Sequence, residues 1–169
     1  MIFSKNFTRN LSYQRSYQRR LQRISVLSRR DIVMANTEAD IIAITQRLLN
    51  SISIGDYDTY KTLCAPDLTC FEPESAGHQV EGLDFHKYYF DHIDYSAAAL
   101  ARSQGQPLNL NTIVAPKVRI LGSDAAVISY VRLTQKGGPN PVTAKAEETR
   151  IWEKRSGSWV LVHFHKSVS

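Results

Sequence analysis

The sequence predicts an α+β domain in which helices come first and an antiparallel sheet follows. Apolar residues follow the spacing of an amphipathic helix from Ile41 to Ile52 and again in Leu83–Ile93. From Leu110 onward, β-branched and aromatic residues dominate and are separated by turn sequences. The length of 169 residues suits about one domain. Since helices must cover one face of such a sheet, we expect the long first helix to lie across a curved sheet.

The first helix begins near residue 37. Thr37 with Asp40 resembles a capping box, and Gly55 is expected to end the helix. The apolar residues between them follow helical spacing: Ile41, Ile44, Leu48 and Ile52.

Two shorter helices and a strand are predicted next. Asp56 is expected to cap a helix over Tyr57–Cys64, which Pro66 closes. Leu68–Glu72 is predicted to be a short strand, and Leu83–Ile93 a third helix.

Four β segments follow a less regular stretch, Asp94–Asn109, which is interpreted as a loop or helical extension. The predicted strands are Ile113–Leu121, Ala125–Gln135, Thr143–Arg155 and Ser158–Ser167. Short sequences rich in Gly, Asp, Asn, Ser and Pro separate them, so we expect three consecutive hairpins.

The excess of positive over negative charge lies in the N-terminal segment of the chain. The formal net charge is +5, but residues 1–30 hold eight basic groups and no acidic group, which leaves the remainder slightly acidic. A generic phosphate-binding surface on the folded domain therefore loses its support, and no nucleic-acid partner is expected. No apolar stretch approaches the roughly 20 residues of a membrane-spanning helix, so no membrane partner is expected either.

Residues 1–33 are interpreted as a basic tail and residues 34–169 as the domain. The tail is rich in Arg and Ser, which is the composition of an organelle transit peptide. A calmodulin-target-like amphipathic helix and a disordered tail ahead of an internal start at Met34 remain alternatives. Localisation is correspondingly open between the cytoplasm and an organelle matrix.

Three successive strands each place one cation among apolar side chains on one face. Side chains alternate between the two faces along a strand. Arg132 therefore shares a face with Ile128 and Tyr130, and Arg150 shares a face with Glu148 and Trp152. Lys166 is predicted to share a face with Val160, Val162 and Phe164. Buried cations are paired, solvated in a pocket or bound to an anion. Two interpretations remain: unrelated groups near strand ends that snorkel or pair with Glu148, or a polar cavity that holds a carboxylate.

No catalytic residue, metal or cofactor is expected. Cys64 and Cys70 form no CxxC pair and are interpreted as a buried, reduced pair. His163 and His165 face the same side, but no recognisable third ligand accompanies them. Glycine-rich phosphate loops and nucleophile motifs are absent from the sequence.

Several strings of residues resemble, in order, the association (hub) domain of the calcium/calmodulin-dependent protein kinase II family. They are Phe71-Glu72-Pro73-Glu74, Glu81-Gly82-Leu83-Asp84-Phe85-His86, Tyr130-Val131-Arg132-Leu133-Thr134-Gln135, Glu147-Glu148-Thr149-Arg150-Ile151-Trp152 and Val162-His163-Phe164-His165. The resemblance covers Thr37–Val168. It implies a nuclear transport factor 2-like cone, with a long N-terminal helix packed in a strongly curved antiparallel sheet.

The resemblance implies a domain that joins subunits and is not itself catalytic. In this family the domain assembles into ring-shaped homo-oligomers and carries kinase domains around the rim. The expected partners are therefore further copies of this chain and kinase subunits that carry the same domain. The kinase motifs themselves are missing, so no kinase activity is expected of the chain.

The resemblance also implies a cationic pocket for a small carboxylate ligand. The arginines of the family's cavity fall on Arg132 and Arg150, Lys166 stands where a third is usual, and the tyrosine and histidine correspond to Tyr60 and His86. Lysine offers a point charge instead of a planar fork, so weaker or differently oriented carboxylate binding is expected. Asp94–Asn109 is longer than its family counterpart, and the tail does not match the family's calmodulin-binding sequence.

The alternative function is a small enzyme of the nuclear transport factor 2-like or ketosteroid isomerase-like class that acts on an acidic metabolite. Its candidate bases are His86, Glu148 and Glu72, which have no recognisable partner arrangement. Two cations in one cavity would hold nearby carboxylates ionised and lower their basicity, so the non-enzymatic interpretation is favoured.

Overall fold

The computed structural model describes residues 37–92, 109–136 and 142–168. The expectations for the basic tail and for nearly all of Asp94–Asn109 fall outside these ranges. The helices are α1 (37–54), α2 (Tyr57–Leu63) and α3 (Asp84–His92), with a short 3₁₀ helix at Pro73–Ser75. The strands are β1 (Cys64–Phe71), β2 (Val80–Glu81), β3 (Asn109–Leu121), β4 (Ala125–Lys136), β5 (Val142–Arg155) and β6 (Ser158–Ser167).

The boundary between α1 and α2 lies where the sequence predicts it, at Gly55 and Asp56. Gly55, with a φ of +69°, ends α1 in a left-handed conformation that glycine adopts without a steric penalty. Asp56 then caps α2, because its carboxylate accepts a 2.9 Å hydrogen bond from the backbone N–H of Thr59. Both predicted signals are confirmed.

The segment after α2 differs from the prediction. Cys64 begins β1 instead of ending the helix, and Pro66 lies inside the strand instead of closing a helix. The pairing of β1 with β6 shifts register between Cys64 and Thr69. This irregularity accommodates Pro66, which has no N–H to donate to a regular ladder.

The sheet of the described residues has the order β2-β1-β6-β5-β4-β3. The last four strands form consecutive antiparallel pairs, as predicted, and three of them are slightly longer than expected. β1 joins β6 in parallel, a pairing that the hydrophobic pattern did not predict. The sheet is curved and does not close, since β2 and β3 remain at its two edges.

A bulge in β6 changes which residues share a face. Ile151 pairs with His163 but the next residue, Trp152, pairs with Leu161, so β6 carries one extra residue at this point. Leu161 and Phe164 are buried on the face towards α1, here called the inner face. The expectation that Val160 shares the face of Lys166 is therefore wrong, because Val160 pairs with Glu153 on the opposite, outer face.

The core lies between α1 and the inner face of the sheet. Ile41, Leu48 and Leu49 of α1 are completely buried in one cluster with Ile128 and Trp152 of the sheet. This burial confirms the predicted apolar stripe of α1. No helix within the described ranges is long and apolar enough to cross a bilayer.

Candidate functional site

A cavity of about 220 Å³ opens on the inner face of the sheet. All five residues that the sequence predicts as ligand-binding line this cavity: Tyr60, His86, Arg132, Arg150 and Lys166. Its other lining residues are Ile52, Glu72, Glu74, Tyr89, Phe90, Glu148 and Phe164. The three helices thus supply one wall and β4, β5 and β6 the other.

Glu148 joins the two arginines of the cavity. Its Oε1 accepts a 3.0 Å hydrogen bond from Arg132 Nη1, and its Oε2 accepts a 2.8 Å hydrogen bond from Arg150 Nη2. The carboxylate has no exposed surface. Burial opposes its ionisation, but the charges of Arg150 and Arg132 outweigh burial and lower the pKa of Glu148. The carboxylate therefore stays ionised between two cations and is a poor base.

Arg150 is the most deeply buried cation of the site, with only 2% of its side chain exposed. Its Nε donates a 2.8 Å hydrogen bond to the Tyr130 hydroxyl, which in turn donates to Glu148. The guanidinium also lies 4.7 Å from the centre of the Phe164 ring, a cation–π contact. Burial works against the charge, but Tyr130 and Glu148 keep the pKa of Arg150 above its usual value.

Arg132 is held by a buried asparagine that sequence reasoning missed. Its Nε donates 3.1 Å hydrogen bonds to Asn111 Oδ1 and Thr134 Oγ1. The Asn111 side chain also donates to the Leu49 carbonyl and to the Ser53 hydroxyl of α1. Asn111 therefore ties the orientation of the arginine to the first helix. Asn111 precedes the predicted strand Ile113–Leu121, and an isolated polar residue at that position gave no signal of this role.

Lys166 occupies a more open part of the cavity. Its ammonium group donates a 2.8 Å hydrogen bond to Glu74 Oε1, and 16% of the lysine side chain and 41% of the glutamate side chain are exposed. Exposed pairs of this kind contribute at most about 1 kcal/mol.

The lining carries three carboxylates as well as three cations. Glu72, Glu74 and Glu148 face the same space as Arg132, Arg150 and Lys166. Arg132 and Arg150 pair with Glu148, as the first interpretation of the sheet cations expects, and all three cations also line one polar cavity, as the second expects. Within the described ranges, Arg150 Nη1 and Arg132 Nη2 make no hydrogen bond to the protein.

The opposite wall is aromatic and holds a neutral histidine. His86 is 6% exposed, and its ring lies 5.9 Å from that of Tyr60 and 5.6 Å from that of Phe164, centre to centre. Burial, followed by the charge of Arg150, lowers the pKa of His86 to about 4. The imidazole is therefore uncharged near neutral pH and adds no positive charge to the site.

Both cysteines are free and buried, as predicted. Burial raises the pKa of Cys70 to about 12, and its Sγ lies 3.4 Å from His86 Nε2. His163 and His165 point away from the cavity on the outer face, where the His163 Nδ1 lies 2.8 Å from the Thr69 hydroxyl oxygen.

Comparison with known proteins assigns the family. The family model described as the calcium/calmodulin dependent protein kinase II association domain matches residues 37–169. The chain belongs to this family. It is 45% identical over 132 residues to the type II subunit delta of calcium/calmodulin-dependent protein kinase from Oryctolagus cuniculus. The match covers 77% of this chain but only 23% of that subunit.

Solved structures agree with this assignment and with the predicted fold. The CaMKII hub homology domain from Chlamydomonas reinhardtii is 50% identical, with a TM-score of 0.70 over 79% of this chain and 98% of that one. An NTF2-like protein with a cystatin-like fold from Novosphingobium aromaticivorans is only 12% identical, with a TM-score of 0.63 over 85% and 87% of the two chains. The second likeness concerns the fold alone and confirms the nuclear transport factor 2-like class.

Membership of an association-domain family supports a role in oligomerisation and fits a chain that is not an enzyme. Of the candidate bases, Glu148 is fully engaged by two arginines and Tyr130. The hub-domain resemblance seen in the sequence is confirmed.

Proposed function

We propose that this chain assembles into ring-shaped homo-oligomers through its association domain, and that the cavity of each subunit binds a small carboxylate. The assembly rests on the family match from residue 37, which also supports a boundary between the tail (1–33) and the association domain (34–169). Kinase subunits that carry the same domain are the proposed hetero-partners, because the matched region of the rabbit subunit is 45% identical.

An apolar patch on the outer face of β3 and β4 supports self-association. Leu110 and Val114 are 48% and 38% exposed, and they lie on the same face of β3 because they are four residues apart along the strand. Val114 pairs with Val131 across the strands, and the intervening Thr112 pairs with Leu133. These four apolar residues, Leu110, Val114, Val131 and Leu133, are the outer patch. Contiguous apolar surface of this kind is typical of interfaces between subunits.

Electron microscopy of the purified chain tests the ring. We expect closed particles with a fixed number of subunits and a central opening. Val131→Glu, which places a charge within the outer patch, should remove the closed particles. Tyr88→Glu changes an aromatic residue on α3 that is 58% exposed and lies outside the outer patch, and it should leave them intact. Open chains or single subunits in the unaltered protein would contradict the proposal.

Arg150 Nη1 and Arg132 Nη2, which have no hydrogen-bond partner among the residues that the structure describes, support carboxylate binding. Arg132 and Arg150 are already oriented by Asn111, Tyr130 and Glu148, so binding would require little reordering of these side chains. A ligand carboxylate would accept hydrogen bonds from their unused N–H groups and replace Glu74 as the partner of Lys166. A cavity of about 220 Å³ suits a molecule of only a few non-hydrogen atoms.

Calorimetry with acetate and butyrate tests the ligand class, with acetamide and butyramide as uncharged controls. We expect the acids to bind and the amides not to bind. Arg150→Ala and Arg132→Ala should weaken binding by roughly 2 to 5 kcal/mol, the usual cost of truncating one partner of a buried charge pair. Arg155→Ala, which removes an exposed arginine outside the cavity, should have no effect. Equal binding of acids by wild type and the cavity variants would contradict the proposal.

A further inference from the structure

Three potential metal ligands of different chemistry meet beside the cavity. Cys70 lies in β1, and Glu72 follows two residues later in extended backbone, with φ −147° and ψ 157°. Because side chains alternate along extended backbone, both point to the same side. His86 approaches them from the first turn of α3. The thiol sulfur, a carboxylate oxygen and an imidazole nitrogen all lie within 4.8 Å of one another.

The distances between these atoms are close to those of a tetrahedral zinc site. With Zn–S near 2.3 Å and Zn–N and Zn–O near 2.1 Å, tetrahedral angles place sulfur and nitrogen about 3.6 Å apart and nitrogen and oxygen about 3.4 Å apart. In the structure, Cys70 Sγ lies 3.4 Å and Glu72 Oε1 lies 3.8 Å from His86 Nε2. Both distances from His86 Nε2 are thus within about 0.4 Å of the tetrahedral values. The third pair, Cys70 Sγ and the Glu72 oxygen, lies within 4.8 Å, so the carboxylate must move towards the thiol for all three atoms to share one ion.

The cluster is almost completely buried, and burial raises the pKa of Glu72. Cys70 is completely buried, and only 7% of the His86 side chain and 10% of the Glu72 side chain are exposed. Glu72 Oε1 is buried and has no hydrogen-bond partner in the described part of the chain. A buried carboxylate oxygen without a partner is destabilising, whereas a cation at this point would satisfy it.

We propose that Cys70, Glu72 and His86 form a three-ligand site for a thiophilic divalent cation such as Zn²⁺. The fourth position of the tetrahedron is open to the cavity, since Glu72 and His86 both line it, and takes water or another small oxygen ligand. Thiolate and imidazole ligands favour zinc and cobalt over magnesium and calcium. This site goes beyond the proposed function, and its formation does not depend on carboxylate binding or on assembly.

The charges of the proposed site balance. On binding, the Cys70 thiol releases its proton to solvent and coordinates as a thiolate, Glu72 coordinates as a carboxylate and His86 as a neutral imidazole. Two negative ligands neutralise the divalent cation. The occupied site is therefore neutral, whereas the empty site carries the single negative charge of the Glu72 carboxylate, so binding raises the charge of the cavity by one.

Cobalt(II) titration of the full chain, kept reduced and first stripped of metal with a chelator, tests the proposal. One equivalent of cobalt per chain should produce a thiolate-to-cobalt charge-transfer band and the intense visible bands of tetrahedral cobalt, and zinc should abolish both. Cys70→Ala should eliminate the charge-transfer band. Glu72→Gln, which keeps the side-chain shape, should retain the band but weaken cobalt binding, because a neutral amide oxygen replaces a carboxylate ligand.

Two control variants separate this site from other buried ligands. Cys64→Ala removes the second buried cysteine, and His163→Gln removes an imidazole of the outer face; both should bind cobalt as the wild type does. Absence of a charge-transfer band in the wild type with excess cobalt would overturn the proposal. So would an unchanged band and affinity in Cys70→Ala. Light absorption reports the ligands directly, so neither result depends on carboxylate binding.

Discussion

Glu148→Gln is the substitution that most directly perturbs the ion-pair network of the cavity. The change keeps the shape of the side chain but removes the charge that both Arg132 and Arg150 face. The glutamine amide retains one acceptor oxygen, which can serve one arginine. Because Arg150 is only 2% exposed, its charge would then be buried without a counterion.

The expected cost follows from that burial. Breaking a buried ion pair from one side typically costs about 3 to 5 kcal/mol, and we expect the lower end because one hydrogen bond survives in the variant. Urea unfolding at equal subunit concentrations measures the difference. Saturating acetate should restore more stability in Glu148→Gln than in the wild type, because the ligand carboxylate supplies the missing negative charge.

Glu147→Gln is the matched control for this experiment. Glu147 is the preceding residue of β5, but its side chain is 43% exposed and pairs with an equally exposed Lys145. Its substitution should change the unfolding free energy by no more than about 0.5 kcal/mol. If Glu148→Gln were as mild as this control, the reasoning about the buried network would be refuted.

Three further predictions follow from the same geometry. The pKa of Glu148 in the folded protein lies below its ordinary value of 4.5. The stabilising effect of its charge is therefore present above pH 4.5 and is lost as the pH falls through the folded-state pKa. In acid unfolding curves, the stability difference between wild type and Glu148→Gln should shrink over that range. Lys166→Arg restores a planar fork and should tighten acetate binding in calorimetry, whereas unchanged affinity would show that Lys166 does not contact the ligand. Tyr130→Phe removes the hydroxyl between Arg150 and Glu148 and should lower the unfolding free energy by about 1 to 3 kcal/mol; no loss would mean that these hydrogen bonds contribute nothing to stability.

Local patterns in the sequence predicted most of the fold because they act over a few residues. The helical spacing in α1, the cap at Asp56 and the turn sequences between the last four strands each depend on neighbours along the chain. Pro66 was misread because a proline after a short helix usually closes it, whereas here a register shift between strands accommodates it. That shift depends on β6, which lies about 95 residues away.

The candidate site was predictable only in part. Alternation along β4 and β5 correctly placed Arg132 and Arg150 on one face, and Glu148 was identified as a possible partner. The sequence did not predict the bulge in β6, but Lys166 still lies on the same face as the two arginines. The bulge precedes Phe164, so the alternation of side chains from Phe164 to Lys166 is unchanged. Asn111 and the cluster around Cys70 were missed, since their neighbours come from distant elements.

The mass of the assembled particle tests the central claim most directly. Size-exclusion chromatography coupled to light scattering, on the full chain at micromolar concentration, should give a single species whose mass is a fixed multiple of 19.1 kDa. Val131→Glu should shift the mass towards that of one subunit. A wild-type chain that elutes as a 19.1 kDa monomer at every concentration would contradict the account.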